Sequence, residues 1–417
     1  MGVISFLTGG RQPGQDRGIN LAGAEFKADP FSYYAKLRSE APIVRTVLPT
    51  KEPAWLVTRY EDVVAVLKDE RFIKNPANAQ SPEQYAKQIW ARKILKSVRR
   101  NLVNQDPPVH TRLRALVSKA FAPPLIEQMR PRVEQLTNEL LDTVQSRDEI
   151  DLIRDYALPL PTTIIAEMLG IPAGDRHRFH RQSNAIMSAA ASTWRLLNSV
   201  PHGLLLIRYI RKSIRKRRAE PRDDLISALI QAEEAGNRLS GDELVSTVIL
   251  LFVAGHETTV NLIGNGVLAL LQHPDQLARL RSDPSLIKPA VEELLRFTNP
   301  VDMATERYPR EDVTIRGVTI PRGEMVYVVL SSANRDERQF PNPDQLDITR
   351  EPNKHLALGL GTHFCLGAPL ARLEGQIAIN TLLRRLPDLR LAVVPSQLRW
   401  RPGLLLRGLE ALPLKTR

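Results

Sequence analysis

Apolar residues recur at helical spacing over most of the chain, and the longest such stretch runs from residue 240 to residue 272. Ser240 and Glu243 form the pattern of an N-terminal capping box at its start, and Pro274 follows its end. A helix of about 30 residues measures roughly 45 Å at ~1.5 Å per residue. The pattern therefore predicts one helix that is long enough to cross a large domain.

The rest of the chain predicts further helices and fewer strands. Helical spacing occurs in residues 29–40, 60–68, 126–144, 156–169, 176–190, 204–218, 284–297 and 365–385. Runs rich in β-branched residues predict strands at 43–48, 54–59, 313–320 and 325–330. No internal repeat or linker divides the sequence. We therefore expect one large, mainly α-helical domain with small β sheets (α+β), spanning residues 29–417 behind a polar N-terminal arm, residues 1–28.

Composition indicates where the protein is expected to act. Of the 417 residues, 43% are hydrophobic, enough for a substantial core. No apolar run reaches the roughly 20 residues that span a bilayer, and residues 2–7 are too short for the core of a signal peptide. The single cysteine agrees with a reducing compartment. We expect a cytoplasmic protein.

The chain is basic, with a net charge of +12. This balance suggests an acidic partner, such as nucleic acid, a membrane surface or an acidic protein; a generally basic or heat-adapted surface is an equal alternative. Positive residues concentrate in 87–100 and 204–218, and each segment is by default a solvated helix face. The stripe in the second segment consists of Arg208, Arg211, Lys212 and Arg215. No aromatic-interleaved patch suits nucleic acid, which we do not expect as a partner.

Cys365, the only cysteine, lies in the glycine-rich run 354–372. A single cysteine cannot form an internal disulfide, so its role is packing, nucleophilic chemistry or ligation. The glycines let the backbone turn sharply and approach a flat group closely. A helical pattern follows, which places the sulfur at a helix N-terminus where the dipole favours the thiolate. A shielded thiolate is a soft ligand for iron; an inert buried cysteine is the alternative.

This run resembles the haem-binding loop of the cytochromes P-450. The matched positions are Gly359, Gly361, His363, Cys365 and Gly367. Leu358 stands where the family has an aromatic residue, and we expect it to contact the cofactor. The resemblance implies the cytochrome P-450 fold and haem b (iron protoporphyrin IX). It also implies that Cys365 is the iron ligand, since thiolate ligation of haem is a property of that family.

A second unusual run, residues 254–259, lies within the long predicted helix. Gly255 and Thr258 are poor helix formers in a helix interior, and such a conflict needs a reason. A plain core helix is the alternative reading. In the cytochromes P-450 this pattern forms the oxygen-binding groove. The resemblance implies that Ala254 and Gly255 lie against the cofactor and that Glu257 and Thr258 relay protons to bound dioxygen.

Glu293 and Arg296 lie three residues apart on a predicted helix, a common pairing that carries little information alone. The resemblance makes them a structural pair that locks the core under the haem loop. The family often completes this network with an arginine, but Gln345 stands at that position. The sequence therefore leaves the third member of the network unidentified.

Four side chains are candidates for binding the haem propionates. His110 and Arg114 are four residues apart and share one helix face, which alone is more typical of a surface pair. The resemblance adds Arg307 and His355. Charge-assisted hydrogen bonds from such groups suit buried carboxylates.

The resemblance implies an oxidoreductase, a monooxygenase that hydroxylates or epoxidises an apolar small molecule with one atom of O₂. Fatty acids, terpenoids, steroids and polyketides all fit a pocket lined by Leu250, Ala254, Val301, Met303 and Leu405. One cysteine cannot hold an iron–sulfur cluster, which needs about four. Electrons are therefore expected from a separate ferredoxin and an NAD(P)H-dependent ferredoxin reductase. We expect a monomer without a transmembrane segment.

Two other functions fit the same resemblance. A peroxygenase of this fold would use peroxide as its oxidant and would usually lack the pair formed by the acid and the alcohol. A haem sensor or carrier would bind haem but leave no dry, substrate-sized cavity.

Overall fold

The computed structural model describes residues 19–86, 100–176, 181–182, 193–234 and 239–417. Within these ranges helices surround the core, and most of them agree with the predicted spans. The helices are α1 (Ala24–Ala28), α2 (Phe31–Glu40), α3 (Tyr60–Lys68), α4 (Pro82–Ala86), α5 (Val109–Ser118), α6 (Pro123–Glu127), α7 (Arg130–Val144), α8 (Pro159–Met168), α9 (Thr193–Ala219), α10 (Leu225–Glu234), α11 (Gly241–Gln272), α12 (Pro274–Ser282), α13 (Ile287–Thr298), α14 (Leu330–Ala333) and α15 (Ala368–Arg385).

Short strands form small sheets beside the helices. The strands are β1 (Ile43–Val47), β2 (Pro53–Val57), β3 (Phe72–Ile73), β4 (Glu149–Asp151), β5 (Tyr308–Pro309), β6 (Val313–Ile315), β7 (Val318–Ile320), β8 (Val326–Val328), β9 (Arg390–Leu391) and β10 (Pro413–Lys415). The sheet orders are β1-β2-β8, β4-β10-β9, β3-β5 and β6-β7. β1 and β2, which lie at predicted strands, pair antiparallel, and β8 joins β2 in parallel with Val326 opposite Trp55. The predicted fold class, mainly α with small β sheets, is confirmed.

α11 is the central helix, and its start is capped as predicted. The Glu243 backbone N–H donates to the Ser240 hydroxyl at 3.2 Å, and the Ser240 N–H donates to the Glu243 carboxylate at 2.7 Å. Most residues from Leu244 to Leu270 are buried, because α11 packs against α8, α9, α13 and α15. α11 is also, among the described helices, the one that is long and apolar enough to cross a membrane; 78% of its apolar window is buried inside the protein.

Proline positions explain where observed helices differ from predicted ones. The helix predicted at 126–144 is divided into α6 and α7, and the one predicted at 156–169 starts with a π-helical turn, Ile153–Ala157, before α8. α6, α7 and α8 each have a proline in the first turn. Backbone N–H groups in a first turn have no intrahelical acceptor, so proline costs no hydrogen bond there. Residues 87–99 and most of 176–190, also predicted to be helical, lie outside the described residues.

The chain enters the core before residue 29, where the first helix was predicted to begin. Leu21 and Ala22 are buried, and the Lys27 side chain on α1 is fully buried. Lys27 Nζ donates to the Asp302 carboxylate and, at 3.0 Å, to the Leu404 carbonyl. Burial lowers the pKa of Lys27, and the Asp302 carboxylate opposes that shift. Part of the segment assigned to the N-terminal arm is thus packed against the domain.

Replacing Lys27 by methionine is expected to lower the free energy of unfolding by about 3 kcal/mol, because Asp302 would remain buried without a cation. The matched control is Lys36→Met on α2, where the lysine side chain is 44% exposed. That change should cost less than about 0.5 kcal/mol. Urea unfolding measures both differences. Equal stabilities of the two variants would mean that the Lys27–Asp302 contact does not stabilise the fold.

Candidate functional site

The loop around Cys365 is shaped by two glycines. Gly359 and Gly361 have positive φ values, 71° and 72°. A Cβ on Gly361 would lie 2.9 Å from the Leu67 carbonyl oxygen near the end of α3, so a side chain there would displace the loop. The Cys365 N–H donates to the Leu358 carbonyl at 2.9 Å and closes the loop. These contacts hold Cys365 immediately before α15.

The Cys365 thiol is not activated by the protein alone. Burial raises its pKa, contrary to the expectation that the helix dipole favours the thiolate. The N–H groups of Gly367 and Ala368 and the charges of Arg114 and Arg372 lower the pKa without outweighing burial. Such a thiol is a poor nucleophile, but a metal ion deprotonates a coordinating thiol outright. The described residues contain no cluster of three metal-ligating side chains.

A mostly apolar cavity lies between the Cys365 loop and the middle of α11. Among its lining residues are the predicted pocket residues Leu250, Ala254 and Val301. The predicted cofactor-binding residues that line it are Arg114, Ala254, Gly255, Leu358, Gly359, His363, Cys365 and Gly367. The polar side chains of the lining are Arg114, Thr258, Thr259, His363 and Cys365. The two sequence motifs thus meet at one cavity with few polar groups.

Thr258 and Gly255 have different structural roles in the middle of α11. Thr258 Oγ1 donates to the Ala254 carbonyl oxygen at 3.1 Å, one turn earlier, while its side chain lines the cavity. A Cβ on Gly255 would lie 3.0 Å from Ile165 Cγ1 on α8. The glycine therefore permits the close approach of α8 to α11, which sequence analysis did not anticipate.

Glu257 lies apart from the cavity, in an ion pair. Its carboxylate is 2% exposed, and Oε2 accepts a hydrogen bond from Arg401 Nη1 at 2.7 Å. His256 Nε2 is 3.5 Å from Oε1. Arg401 also donates from Nε to the Leu409 carbonyl at 2.9 Å, so the C-terminal segment fixes this guanidinium. Sequence analysis missed Arg401, because only the folded chain brings it to α11.

A buried group of cationic and imidazole side chains surrounds His363. The His110 and His363 rings are 4.3 Å apart. Neither His110 ring nitrogen nor Arg307 Nε has a hydrogen-bond partner among the described residues, although all are buried. Burial lowers the pKa of Arg307 to about 10. Burial also lowers the pKa of His363 to about 2, helped by the charges of Lys74, His110, Arg307 and Arg114.

This group fits the carboxylates of haem. Buried donors without acceptors are costly, and an anion that accepted their hydrogen bonds would remove that cost. His110, Arg114, Arg307 and His363 could therefore hold the propionates while Cys365 holds the iron. His363 was assigned to the haem loop by its motif, and the structure adds it to the propionate candidates.

His355, predicted to contact a propionate, is engaged elsewhere. Its Nε2 lies 3.1 Å from the Glu292 carboxylate, which also accepts two hydrogen bonds of 2.7 Å from Arg372. Burial alone would raise the pKa of Glu292, but His355 and Arg372 lower it to about 2. The structure therefore places His355 in a separate ion-pair cluster beside α15.

The predicted Glu293–Arg296 pair is present, and Arg350 is the missing third member of its network. Both side chains are fully buried, and Arg296 donates two hydrogen bonds to Glu293 at 2.7 and 2.8 Å. Arg350 Nε donates to Glu293 at 3.2 Å, and the Asn353 amide donates at 3.1 Å. Gln345 contributes only its backbone carbonyl, 3.3 Å from Arg296 Nη2. The family's arginine is thus replaced by one five residues later.

Two predicted pocket residues belong to a different part of the core. Met303 is fully buried in a hydrophobic cluster with Tyr34 and Leu404, and Leu405 packs against the same cluster. Neither is among the described residues that line the cavity. Met303 pairs with Val329 in a β-bridge, which fixes it within this cluster. The prediction for Met303 and Leu405 is therefore corrected.

Glu374 on α15 is a buried acid that sequence analysis missed. It is fully buried, and neither carboxylate oxygen has a well-aligned hydrogen bond among the described residues. Burial raises its pKa to about 8, and the nearby Thr259 side chain opposes part of that shift. The sequence signal for its burial was its position four residues after Leu370, which places Glu374 on the apolar face of the helix. Glu374 is therefore largely neutral in the folded protein at pH 7.

Glu374→Gln is expected to remove part of the pH dependence of stability. Between pH 4.5 and about 8 the folded protein keeps the Glu374 proton while the unfolded chain loses it, so the wild-type free energy of unfolding falls as pH rises. The variant should gain stability relative to wild type across this interval in denaturant titrations. The exposed control Glu410→Gln should show a constant difference. A constant difference for Glu374→Gln would mean that burial does not perturb this carboxyl.

The chain matches one family of known proteins over most of its length. The family model described as Cytochrome P450 matches residues 17–387. The polyketide biosynthesis cytochrome P450 PksS of Bacillus subtilis (strain 168) is 46% identical over 395 residues, which cover 94% of this chain and 97% of that protein. Both matches extend over the loop, the long helix and the charged network described above.

Solved structures agree with the sequence matches. The myxobacterial cytochrome P450 CYP267B1 in complex with myristic acid has a TM-score of 0.91 and 42% identity, covering 95% of this chain and 98% of that one. P450BioI in complex with hexadec-9Z-enoic acid ligated acyl carrier protein has a TM-score of 0.86 and 42% identity, covering 94% and 99%. The predicted fold, haem cofactor and monooxygenase class are confirmed, and the chain belongs to the cytochrome P450 family.

Proposed function

We propose that this monooxygenase oxygenates the acyl chain of a fatty acid or a polyketide at a haem held by Cys365. The observation that carries the proposal is the cavity shared by the Cys365 loop and α11, whose wall is apolar except for a few side chains. A cavity of this kind binds by excluding water from hydrocarbon and offers little to a polar ligand. Haem would supply the chemistry: it activates O₂ so that one oxygen atom enters a C–H or C=C bond and the other leaves as water with the two electrons from the redox partners.

Three of the relatives point to acyl chains. One carries polyketide biosynthesis in its name, one was solved with myristic acid, and one with a fatty acid ligated to an acyl carrier protein. Terpenoids and steroids also suit apolar walls, so the substrate class rests on this likeness together with the cavity. A panel of acyl chains, terpenoids and steroids, screened for a change of haem spin state on binding, distinguishes these classes.

In the proposed site, His110, Arg114, Arg307 and His363 hold the propionates, and Leu358 and the loop glycines pack against the ring. Arg307 is supported by its Nε, which is buried without an acceptor among the described residues. Its guanidinium would gain charge-assisted hydrogen bonds from a propionate. The same bonds would fix the in-plane orientation of the ring.

Arg307→Met is expected to speed haem loss about tenfold, the effect of losing one charge-assisted hydrogen bond. Transfer of haem to an excess of an apo-haemoprotein, followed by absorption, measures this rate. The exposed Arg310→Met is the matched control and should leave the rate unchanged. Equal rates for Arg307→Met and wild type would contradict the propionate assignment.

Thr258 is proposed to pass a proton from its hydroxyl to dioxygen, with Glu257 as the acid that restores it. Thr258 lines the cavity, whereas Glu257 is held by Arg401 behind it. A route between them must therefore pass through movement of the Glu257 side chain or through water. Arg401 is a positioning residue in this scheme. It contacts Glu257, and it is not among the described residues that line the cavity.

Thr258→Ala is expected to reduce the product formed per NAD(P)H oxidised by at least about tenfold, because protons would then reach dioxygen without control. The control Thr258→Ser keeps the hydroxyl and should retain most of the coupling. Dodecanoic acid hydroxylation with a surrogate ferredoxin and reductase measures the ratio. Unchanged coupling in Thr258→Ala would refute the relay, and turnover with peroxide alone would favour the peroxygenase.

Electrons are proposed to come from an acidic ferredoxin and its NAD(P)H-dependent reductase, with this chain acting as a monomer. We place the ferredoxin contact on a basic face around Arg112 and Arg372. Each is paired within the chain: Arg112 with Glu243 at 2.5 Å and Arg372 with Glu292 at 2.7 Å. Any ferredoxin contact at these residues would therefore compete with an existing ion pair, which lowers its gain in free energy.

A further inference from the structure

One exposed face of α9 is apolar in its first half and cationic in its second half. Residues three or four apart on a helix share a face, and such positions are exposed from residue 194 to residue 216. We call them the α9 face; they are Trp194, Asn198, Pro201, Leu205, Arg208, Lys212, Arg215 and Lys216. The face is about 33 Å long at ~1.5 Å per residue. The proposed monooxygenase site leaves it without a role.

The first half of the α9 face exposes a group of large apolar side chains. Trp194 is 74% exposed and Leu205 is 45% exposed. They are about three helical turns apart, so they lie on the same side of α9. Leu204, beside this face, is 51% exposed. Single exposed apolar residues are ordinary, but a tryptophan and two leucines on one helix form a patch that is typical of an interaction surface.

The second half of the α9 face carries positive charge without nearby carboxylates. Its cations have no ion pair with the described residues, and they are Arg208, Lys212, Arg215 and Lys216. By contrast, Arg211 and Arg217 on the same helix are paired, with Asp242 and Asp224 respectively. The 27 residues of α9 include no Asp or Glu. A helix face that only contacts water usually mixes both signs of charge, so this face is better explained by an anionic partner.

The other side of α9 is fixed in the core. Leu206 and Ile210 are fully buried, and Ile214 is nearly so. This side packs against α11. A partner could therefore bind the α9 face without any rearrangement of the fold.

An anionic lipid bilayer suits both halves of the α9 face. A tryptophan at the level of the headgroups buries its ring and keeps its N–H near water. Leucine side chains beside it enter the boundary between headgroups and acyl chains. Lysine and arginine lay their aliphatic stems along apolar surface and keep their charged ends among anionic headgroups.

Two other partners fit the face less well. An acidic protein would need an apolar pocket and a carboxylate patch, arranged in order over about 33 Å to match the face. A second copy of this chain would bring a further set of four cations toward the first, and like charges repel. A bilayer presents headgroups and hydrocarbon along every line of its surface, so it needs no such match.

We propose that the α9 face binds the surface of an anionic lipid bilayer, with Trp194 and Leu205 among the headgroups and the four cations on the lipid phosphates. The protein would then be attached to the surface of the membrane without crossing it. This inference goes beyond the proposed function and does not depend on the identity of the substrate.

Co-sedimentation of the holoenzyme with vesicles tests the proposal. One set of vesicles contains phosphatidylglycerol and phosphatidylcholine in equal parts, and the other contains phosphatidylcholine alone. We expect binding to the anionic vesicles to be at least about a hundredfold tighter, because each cation near an anionic surface contributes about fivefold. Raising the salt concentration from about 0.1 M to about 0.5 M should weaken this binding. Equal binding to both sets, or binding to neither, would overturn the proposal.

The charges are tested by the double variant Arg208→Gln/Lys212→Gln. It should bind the anionic vesicles about 25-fold more weakly, at about fivefold for each charge. The matched control is Arg281→Gln/Lys288→Gln, which removes one arginine and one lysine at exposed positions on α12 and α13. The control should bind like wild type. An equal loss in both double variants would mean attraction by net charge alone and would overturn the site.

The apolar half is tested by Leu205→Ser. We expect about fivefold weaker binding, because about half of a leucine side chain would no longer be buried in the bilayer. The matched control is Leu125→Ser on α6, where the leucine is 47% exposed, and it should leave binding unchanged. The haem absorption spectrum of each variant checks that the fold is intact.

Sedimentation velocity without lipid distinguishes the bilayer from a second copy of the chain. We expect wild type and Leu205→Ser to sediment alike. A wild-type dimer that becomes a monomer in Leu205→Ser would make the α9 face a contact between two copies and overturn the lipid assignment.

Discussion

A carboxylate that is fully enclosed by protein must be surrounded by donors, and the haem-loop side of this fold is built around such a group, Glu293. Its partner Arg296 donates from Nη1 to the Asn334 carbonyl at 2.8 Å. The Asn334 side chain in turn accepts the Leu356 N–H at 2.7 Å, and the Leu356 carbonyl accepts the Gly359 N–H at 2.8 Å. The position of the sulfur-bearing loop thus depends, through single hydrogen bonds, on one buried charge pair.

The site separates charge from hydrocarbon. Donors without acceptors cluster at the His363 end, while aliphatic side chains from α11 and the segment around residue 300 line the rest of the cavity. A planar ring with carboxylates on one edge would suit this arrangement. Its carboxylates would accept hydrogen bonds from the donors, and its ring would contact the aliphatic lining. The carboxylates of Glu292 and Glu257 are already paired within the chain, with Arg372 and Arg401, so they do not compete for the donors at the His363 end.

Local patterns were enough to find the residues whose roles depend on their neighbours in sequence. The sequence showed the glycines around Cys365, the Ser240 cap and the unusual Thr258 within a helix. Backbone geometry and helix propensity are local properties, so these features could be found without the fold. Arg350, Arg401 and Glu374 could not, because each acts through a contact between distant segments. The state of the Cys365 thiol was misjudged for the same reason: the helix dipole is local, whereas the burial that outweighs it comes from the whole fold.

The Lys27–Asp302 contact also bears on how this enzyme can be rebuilt. Asp302 adjoins Val301, which lines the cavity, and its N–H donates to the Leu405 carbonyl at 2.8 Å. The N-terminal segment therefore supports, through Lys27 and Asp302, one wall of the cavity. An electron-donor protein fused to the N-terminus should therefore be joined before Leu21. A junction after Leu21 would remove buried residues that support this wall of the cavity.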